Sequence, residues 1–182
     1  VREAVGPDFA IHIDVHGVAT TPMAVEFCNR AEEYRPFVIE EPTQLEDLGE
    51  LAHVRAHTKV PLATGERITT KFPFAEICAR HLVDYVQPDI IHCGGITEVK
   101  KVAAVAEAFR VGVLLHNPNG RVCSFASQHL SMHAPNAGVL EMSGGEHARW
   151  DELFYGRRTN YQGTYLFPPD RPGLGIELNE TE

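Results

Sequence analysis

A chain of 182 residues with 43% hydrophobic content is long enough for one sizeable core, and it contains no linker-like or low-complexity tract. Its formal net charge of -9, with no Lys and Arg clustered among aromatic residues, sets it against nucleic acid as a partner. No apolar run approaches the roughly 20 residues that cross a bilayer, and no charged-then-apolar leader opens the chain. These features lead us to expect a soluble, cytoplasmic protein with no membrane partner.

In chain order, residues 1–6 have the pattern of a last helical turn closed by Gly6, which implies a start in mid-structure. Phe9 to Asp14 is a first strand ending in a carboxylate. After the loop 15–21, Thr21 is expected to cap a helix with Pro22 at its first position, and Met23, Phe27, Ala31 and Tyr34 supply an apolar stripe. Pro36-Phe-Val-Ile-Glu-Glu-Pro42 has β-favouring residues fenced by prolines, hence a short buried strand rather than a helix. A helix over 45–57 follows, with Leu45, Leu48, Leu51 or Ala52, and Arg55 along one side, then a strand from Val60 to Glu66 and a weaker helix over 73–81. Tyr85 to Asp89 is the fourth strand. The glycine pair in His92-Cys-Gly-Gly-Ile-Thr97 permits a sharp turn, with Thr97 as the cap of a helix whose stripe is Val99, Val102, Ala103, Ala106 and Phe109. Val111 to His116, a helix over 122–133 and Gly138 to Glu141 complete the pattern, and residues 167–175 hold too much Pro and Gly for a helix.

Each strand ends in an ionisable residue, and the steps from Asp14 to Glu40, Glu66, Asp89, His116 and Glu141 are 26, 26, 23, 27 and 25 residues. One strand, one helix and two loops need about that length, which predicts an α/β fold of the (β/α) TIM-barrel type with six of its eight strands. An open six-stranded parallel sheet is the alternative. We expect residues 1–148 to form the partial barrel and 149–182 a tail packing on it or on a neighbouring domain.

In a barrel all C-terminal strand ends share one rim, so Asp14, Glu40 and Glu66 converge, and three mutually repelling carboxylates call for a hard divalent cation such as Mg2+. Asp89, one strand from His116, would fix the imidazole tautomer and make His116 a general base. Glu41 alternates to the other side of its strand and is expected to support its neighbour from behind. His92, His129, His133 and His147 lack partners at ligand spacing and are expected to be structural. Ser124 and Ser127 sit in no nucleophile elbow. Cys28, Cys78, Cys93 and Cys123 form no C-x-x-C pair and suit core or helix positions.

Taken together, Asp14, Ile39-Glu40-Glu41-Pro42, Thr64-Gly65-Glu66-Arg67, Gln87-Pro88-Asp89, Gly94-Gly95-Ile96-Thr97, His116 and Glu141 resemble the enolase superfamily, mandelate racemase subgroup. Asp14-Val-His16-Gly, Tyr34-Arg-Pro and Ala63-Thr-Gly-Glu-Arg67 are most similar to the galactonate dehydratases and related sugar-acid dehydratases. The resemblance implies a modified barrel preceded by a capping domain, with the first two strands and that domain outside this chain. It also implies Mg2+ bound to the carboxylate of a sugar-acid substrate. Under it His116 takes the C2 proton, His16 protonates the departing C3 hydroxyl, and Glu141 hydrogen-bonds the enediolate or carboxylate oxygen. One departure is the loop Asn117-Pro-Asn-Gly-Arg121, more polar than that of the galactonate enzymes. A racemase or epimerase and a non-catalytic truncated fragment remain alternatives, and a gap in the barrel would favour a homo-oligomer.

Overall fold

Strands buried on both faces have near-continuous apolar sequences, and five of the expected runs pair in sequence order. In the computed structural model, which describes residues 1–142, 150–156 and 160–181, a short helix α1 (Arg2–Val5) closes at Gly6, whose φ is 81°. Then β1 (His12–Asp14), β2 (Val38–Glu40), β3 (Leu62–Thr64), β4 (Tyr85–Val86) and β5 (Gly112–Val113) form one sheet in that order, every neighbour parallel. Each crossover is helical: α2 (Thr21–Ala31), α3 (Leu48–His57), α4 (Lys71–Ala79) and α5 (Gly95–Ala108), with α6 (Arg121–His133) after β5.

Alternation along the strands sorts side chains onto two faces. Ile39, Leu62, Val86, Val113 and Leu115 join helix residues such as Val54, Phe74, Ile77, Val99 and Val102 in the main core. The opposite face carries a smaller cluster of Val38, Ala63 and Leu114 with Phe37 and Tyr85 against it, and beyond it, toward the strand ends, lie the ionisable residues. All four cysteines are buried and unpaired, and burial pushes the Cys78 and Cys93 thiols up to about 11, so they behave as small apolar side chains.

Several expectations need correction. The sixth run, Gly138 to Glu141, joins the sheet only through an isolated parallel bridge between Val113 and Ala137 and a 2.8 Å bond from Gly138 N to Val113 O. Val139 is 63% exposed, so nothing packs on the run from outside to complete a strand. In α2 the buried face is Ala24, Cys28 and Ala31, while Met23, Phe27 and Tyr34 are exposed. The small residues let the helix lie close to the sheet, and the large ones point outward. That helix begins one residue earlier, with Thr20 at the N-cap, and α5 is capped by left-handed Gly94 rather than Thr97. α3 begins at Leu48, where Asp47 accepts from Gly49 N, and α4 spans Lys71–Ala79 rather than 73–81. The α5 stripe is as expected: Val99, Val102, Ala103 and Ala106 are buried.

Beyond residue 149, α7 (Trp150–Leu153) leads into two antiparallel pairs. β6 (Phe154–Gly156) pairs with β9 (Ile176–Leu178), and β7 (Asn160–Gln162) with β8 (Tyr165–Phe167). The 167–175 stretch links β8 to β9 without a helix. The expected boundary at 148 and His147 lie outside the described residues. Among the described residues no helix is long and apolar enough to cross a membrane.

The observed α2 face makes Ala24→Leu costly, by about 1–3 kcal/mol of overpacking, whereas Met23→Ala stays within about 0.5 kcal/mol; urea unfolding of the two variants checks this. Glu98 accepts from Lys71 N and Nζ and from Lys101 Nζ, and these cations hold its carboxyl down to about 2 from 4.5. A depressed carboxylate stabilises the fold above its unfolded value and loses that effect as pH falls. Stability should therefore drop between pH 4.5 and about 2, and Glu98→Gln should flatten that part of a pH-resolved unfolding curve.

Candidate active site

The site is assembled from the ends of parallel strands, where the backbone leaves the ladder and side chains turn inward. Asp14 and Glu40 are the last residues of β1 and β2 and stand directly opposite in register. Glu66 follows β3 through Gly65, whose φ of 141° only glycine adopts readily. A Cβ there would lie 2.6 Å from the Phe74 ring and 3.0 Å from Gln87 N, so the Thr-Gly-Glu order is required by space as well as by backbone. Asp89 and His116 follow β4 and β5 and are joined by a single parallel bridge.

A cavity of about 420 Å³ opens at these ends. Asp14, His16, Glu40, Glu66, His116 and Glu141 all line it, so six of the seven residues singled out from the sequence meet there. The seventh, Asp89, is fully buried behind His116. His12 and Pro118 complete the wall.

Behind the cavity, His116 Nδ1 lies 2.7 Å from Asp89 Oδ2. An ionised carboxylate only accepts, so Nδ1 carries a proton and Nε2 is the atom turned to the cavity. Burial alone would push the imidazole down, but the bond to Asp89 and the charges of Glu66 and Glu141 outweigh it and hold His116 above the ordinary histidine value. Asp89 behaves in the opposite sense: burial would raise it, yet the bonds from His116 and from Ile91 N keep it below the usual carboxylate range.

On the cavity side three carboxylates are set against imidazoles, while Glu141 accepts from Asn117 N instead. His116 Nε2 lies 3.2 Å from Glu66 Oε2, His12 Nε2 2.6 Å from Glu40 Oε2, and His16 Nδ1 3.3 Å from Asp14 Oδ2. A bare lone pair on Nε2 of His116 would face an anionic oxygen, so that contact shares one proton between the two groups. Glu66 is raised by burial, and the charges of Glu41 and Glu40 add to the rise. Glu40 is lowered, because the bonds from His12 and Gln87 overcome its burial. Hard oxygen donors on neighbouring strand ends suit a divalent cation such as Mg2+ by charge and donor type. As the side chains stand, no three His, Cys, Asp or Glu among the described residues are grouped to hold an ion; imidazoles supply the neutralisation instead.

His16 is mostly exposed and sits at φ 55°, its backbone N donating 2.6 Å to Asp14 Oδ1. Glu41 also has left-handed backbone, φ 45°, which turns its side chain away from the cavity. There it is fully buried, accepting from Thr64 Oγ1 at 2.6 Å and from Arg67 Nε and Nη2 at 2.8 and 2.6 Å. This agrees with its expected place behind Glu40.

Two residues, His12 and Asn119, escaped the sequence reading. His12 lies mid-strand, where period-2 alternation with Asp14 was the available signal for a shared face. His92, expected to be structural, sets its Nδ1 3.2 Å from the backbone O of Glu66 and its ring 6.5 Å from that of His116. Asn119 reaches Asp89 Oδ2 with Nδ2 at 2.8 Å, a contact between loops 30 positions apart that no spacing rule encodes.

Strand-end acids, a carboxylate-oriented histidine and helical crossovers define a (β/α) barrel-type domain. The chain belongs to the enolase C-terminal domain-like family, whose model matches residues 1–182. It is 37% identical over 185 residues to a D-galactonate dehydratase of Ralstonia pickettii and 36% over 187 residues to one of Cronobacter sakazakii. The alignments cover 99% and 100% of this chain but 48% and 49% of those proteins, so the chain spans about half the length of the curated relatives it matches. Among solved structures, a putative dehydratase from Salmonella Thyphimurium superposes with a TM-score of 0.94 at 33% identity, over 99% of this chain and 45% of that one. An enolase from Pantoea ananatis with bound D-gluconate and Mg superposes with a TM-score of 0.90 at 28% identity, over 99% and 43%.

Removing the guanidinium from behind the site strands a buried carboxylate. Arg67→Met is expected to cost about 3 kcal/mol in urea unfolding, while Arg67→Lys, which keeps a cation near Glu41, costs less.

Proposed function

We propose that this chain carries the catalytic rim of a hydro-lyase that dehydrates a sugar acid, an aldonate such as galactonate, to a 2-keto-3-deoxy acid. The observation that carries this reading is the cavity itself: His116, backed by Asp89, opens onto the same space as His16 and the carboxylates of Asp14, Glu40 and Glu66. Two imidazoles on one cavity allow one to take a proton while the other gives one. The names of the relatives and the D-gluconate of the Pantoea ananatis enzyme support an acid sugar as the substrate class.

Once the proton it shares with Glu66 has left, His116 Nε2 removes the proton from C2, while Asp89 holds Nδ1–H and stabilises the imidazolium that forms. His16 donates a proton to the C3 hydroxyl as the C3–O bond breaks, and water leaves. The resulting enol tautomerises to the 2-keto acid, and the two histidines return to their starting states through solvent. Glu141, held beside the cavity by a 2.8 Å bond from Asn117 N to one carboxyl oxygen, hydrogen-bonds the enediolate or carboxylate oxygen of the substrate when its other oxygen carries a proton. Asp14, Glu40 and Glu66 would hold Mg2+, which supplies positive charge against that carboxyl group and acidifies the C2 proton. The five-stranded sheet is, on this proposal, part of an eight-stranded barrel, a reading supported by the relatives' greater length.

In the full-length polypeptide, His116→Asn abolishes exchange of the C2 proton with solvent deuterium as well as product formation. His16→Asn keeps the exchange and lowers 2-keto-3-deoxy product by about 100-fold or more. Chelation of divalent cations abolishes both and Mg2+ restores them. Accumulation of the C2 epimer with no keto product would replace this reading with that of an epimerase, and exchange retained by His116→Asn would remove His116 from the base role.

A further inference from the structure

From the geometry we infer that Asn119 and Asn117 are positioning residues for the two acids that flank His116: Asn119 fixes the plane of the Asp89 carboxylate, and Asn117 fixes Glu141. The inference rests on His116 being the base and extends to how that base is held.

Asp89 is fully buried, so each of its oxygens needs donors from the protein. Oδ1 accepts from Ile91 N at 2.6 Å. Oδ2 accepts from His116 Nδ1 at 2.7 Å and also from Asn119 Nδ2 at 2.8 Å. The terminal torsion of Asp is broad, so one backbone bond to Oδ1 leaves the carboxylate free to tilt about that anchor. A second, lateral donor on Oδ2 removes that freedom and aims the remaining lone pair at the imidazole. The same amide occupies a lone pair that would otherwise be buried without a partner, which favours the proton staying on His116 Nδ1 rather than passing to Asp89.

On the other side of His116, residues 137–141 have no ladder to hold them, only the bridge at Ala137. Asn117, fully buried, makes up for the missing strand. Its N donates to Glu141 Oε2 at 2.8 Å and its Nδ2 to Glu141 O at 2.9 Å, so backbone and carboxylate of the same residue are fixed from one point. Pro118 sits between the two asparagines and has no N–H of its own to satisfy, and its ring lines the cavity. One loop thus ties down both residues, Asp89 through Asn119 Nδ2 and Glu141 through the N and Nδ2 of Asn117.

The test uses the full-length polypeptide and two variants at half-buried Asn119. Asn119→Leu keeps the branched shape and heavy-atom count and removes the donor; Asn119→Gln keeps a donor. With Mg2+ and galactonate, Asn119→Leu is expected to lower kcat for C2 proton exchange by about 10- to 100-fold, with KM within about twofold and the thermal midpoint little changed. Asn119→Gln recovers most of the loss. In 15N-histidine spectra, Asn119→Leu shifts the Nδ1–H resonance of His116 and leaves the other histidines in place. An unchanged kcat in Asn119→Leu, or a loss that follows the unfolded fraction and is not recovered by Gln, overturns the inference. The spectrum separates the two levels of the reading: if His116→Asn retains exchange, the base assignment fails, while a shifted Nδ1–H still upholds the Asn119–Asp89–His116 coupling.

Discussion

Negative charge held out of water is the constraint on which this domain turns. Glu40, Glu41, Glu66 and Asp89 are all buried at neighbouring strand ends, and anions in a low-dielectric setting must be neutralised or protonated. The chain does this in two ways. Glu41, turned away from the cavity, is matched with Arg67, a cation that keeps its proton at any working pH. Asp14, Glu40 and Glu66, which face the cavity, are matched with histidines, whose charge is readily given up. Permanent neutralisation lies behind the site and exchangeable neutralisation inside it, so the cavity's charge can change during a reaction without loosening its support.

The scaffold brings this about with few special residues. Alternation along β2 puts Ile39 in the main core and Val38 and Glu40 on the face of the cavity. Beyond the strand ends the chain steps out of regular geometry. His16 and Glu41 take left-handed backbone and Gly65 a conformation that a side chain could not share with Phe74. Such departures cost about 1–3 kcal/mol each in non-glycine residues. The sheet–helix core, with residues such as Leu51, Phe74 and Ile77 wholly buried, is large enough to offset them.

Much of this was legible in the sequence because the signal is periodic. Acid-tipped apolar runs at near-constant steps located five strands and five of the cavity's lining residues, and the family resemblance added His16. What periodicity conveys poorly is which face is tight. Hydrophobicity points to a stripe of Met23, Phe27, Ala31 and Tyr34, whereas closeness to the sheet selects Ala24, Cys28 and Ala31, so only Ala31 is shared. The sixth run had the composition of a strand but lacked packing on its outer side. The partners of His12 and Asn119 were hidden for another reason. A hydrogen bond between loops depends on side-chain placement to within a few tenths of an ångström, and no pattern of residue types carries that.

Gly17 N donates to Glu41 O at 2.8 Å, and Gln44 Nε2 to Gly17 O, so the turn after β1 is laced to the turn after β2. Arg67, from the turn after β3, bonds both Glu41 and Gln44, and its guanidinium fills the space where a side chain on Gly17 would stand. Three successive turns therefore form one mechanical piece. Grafting a single turn from a relative to alter its selectivity would break the lacing, whereas moving all three as a block would carry their mutual fit along with them.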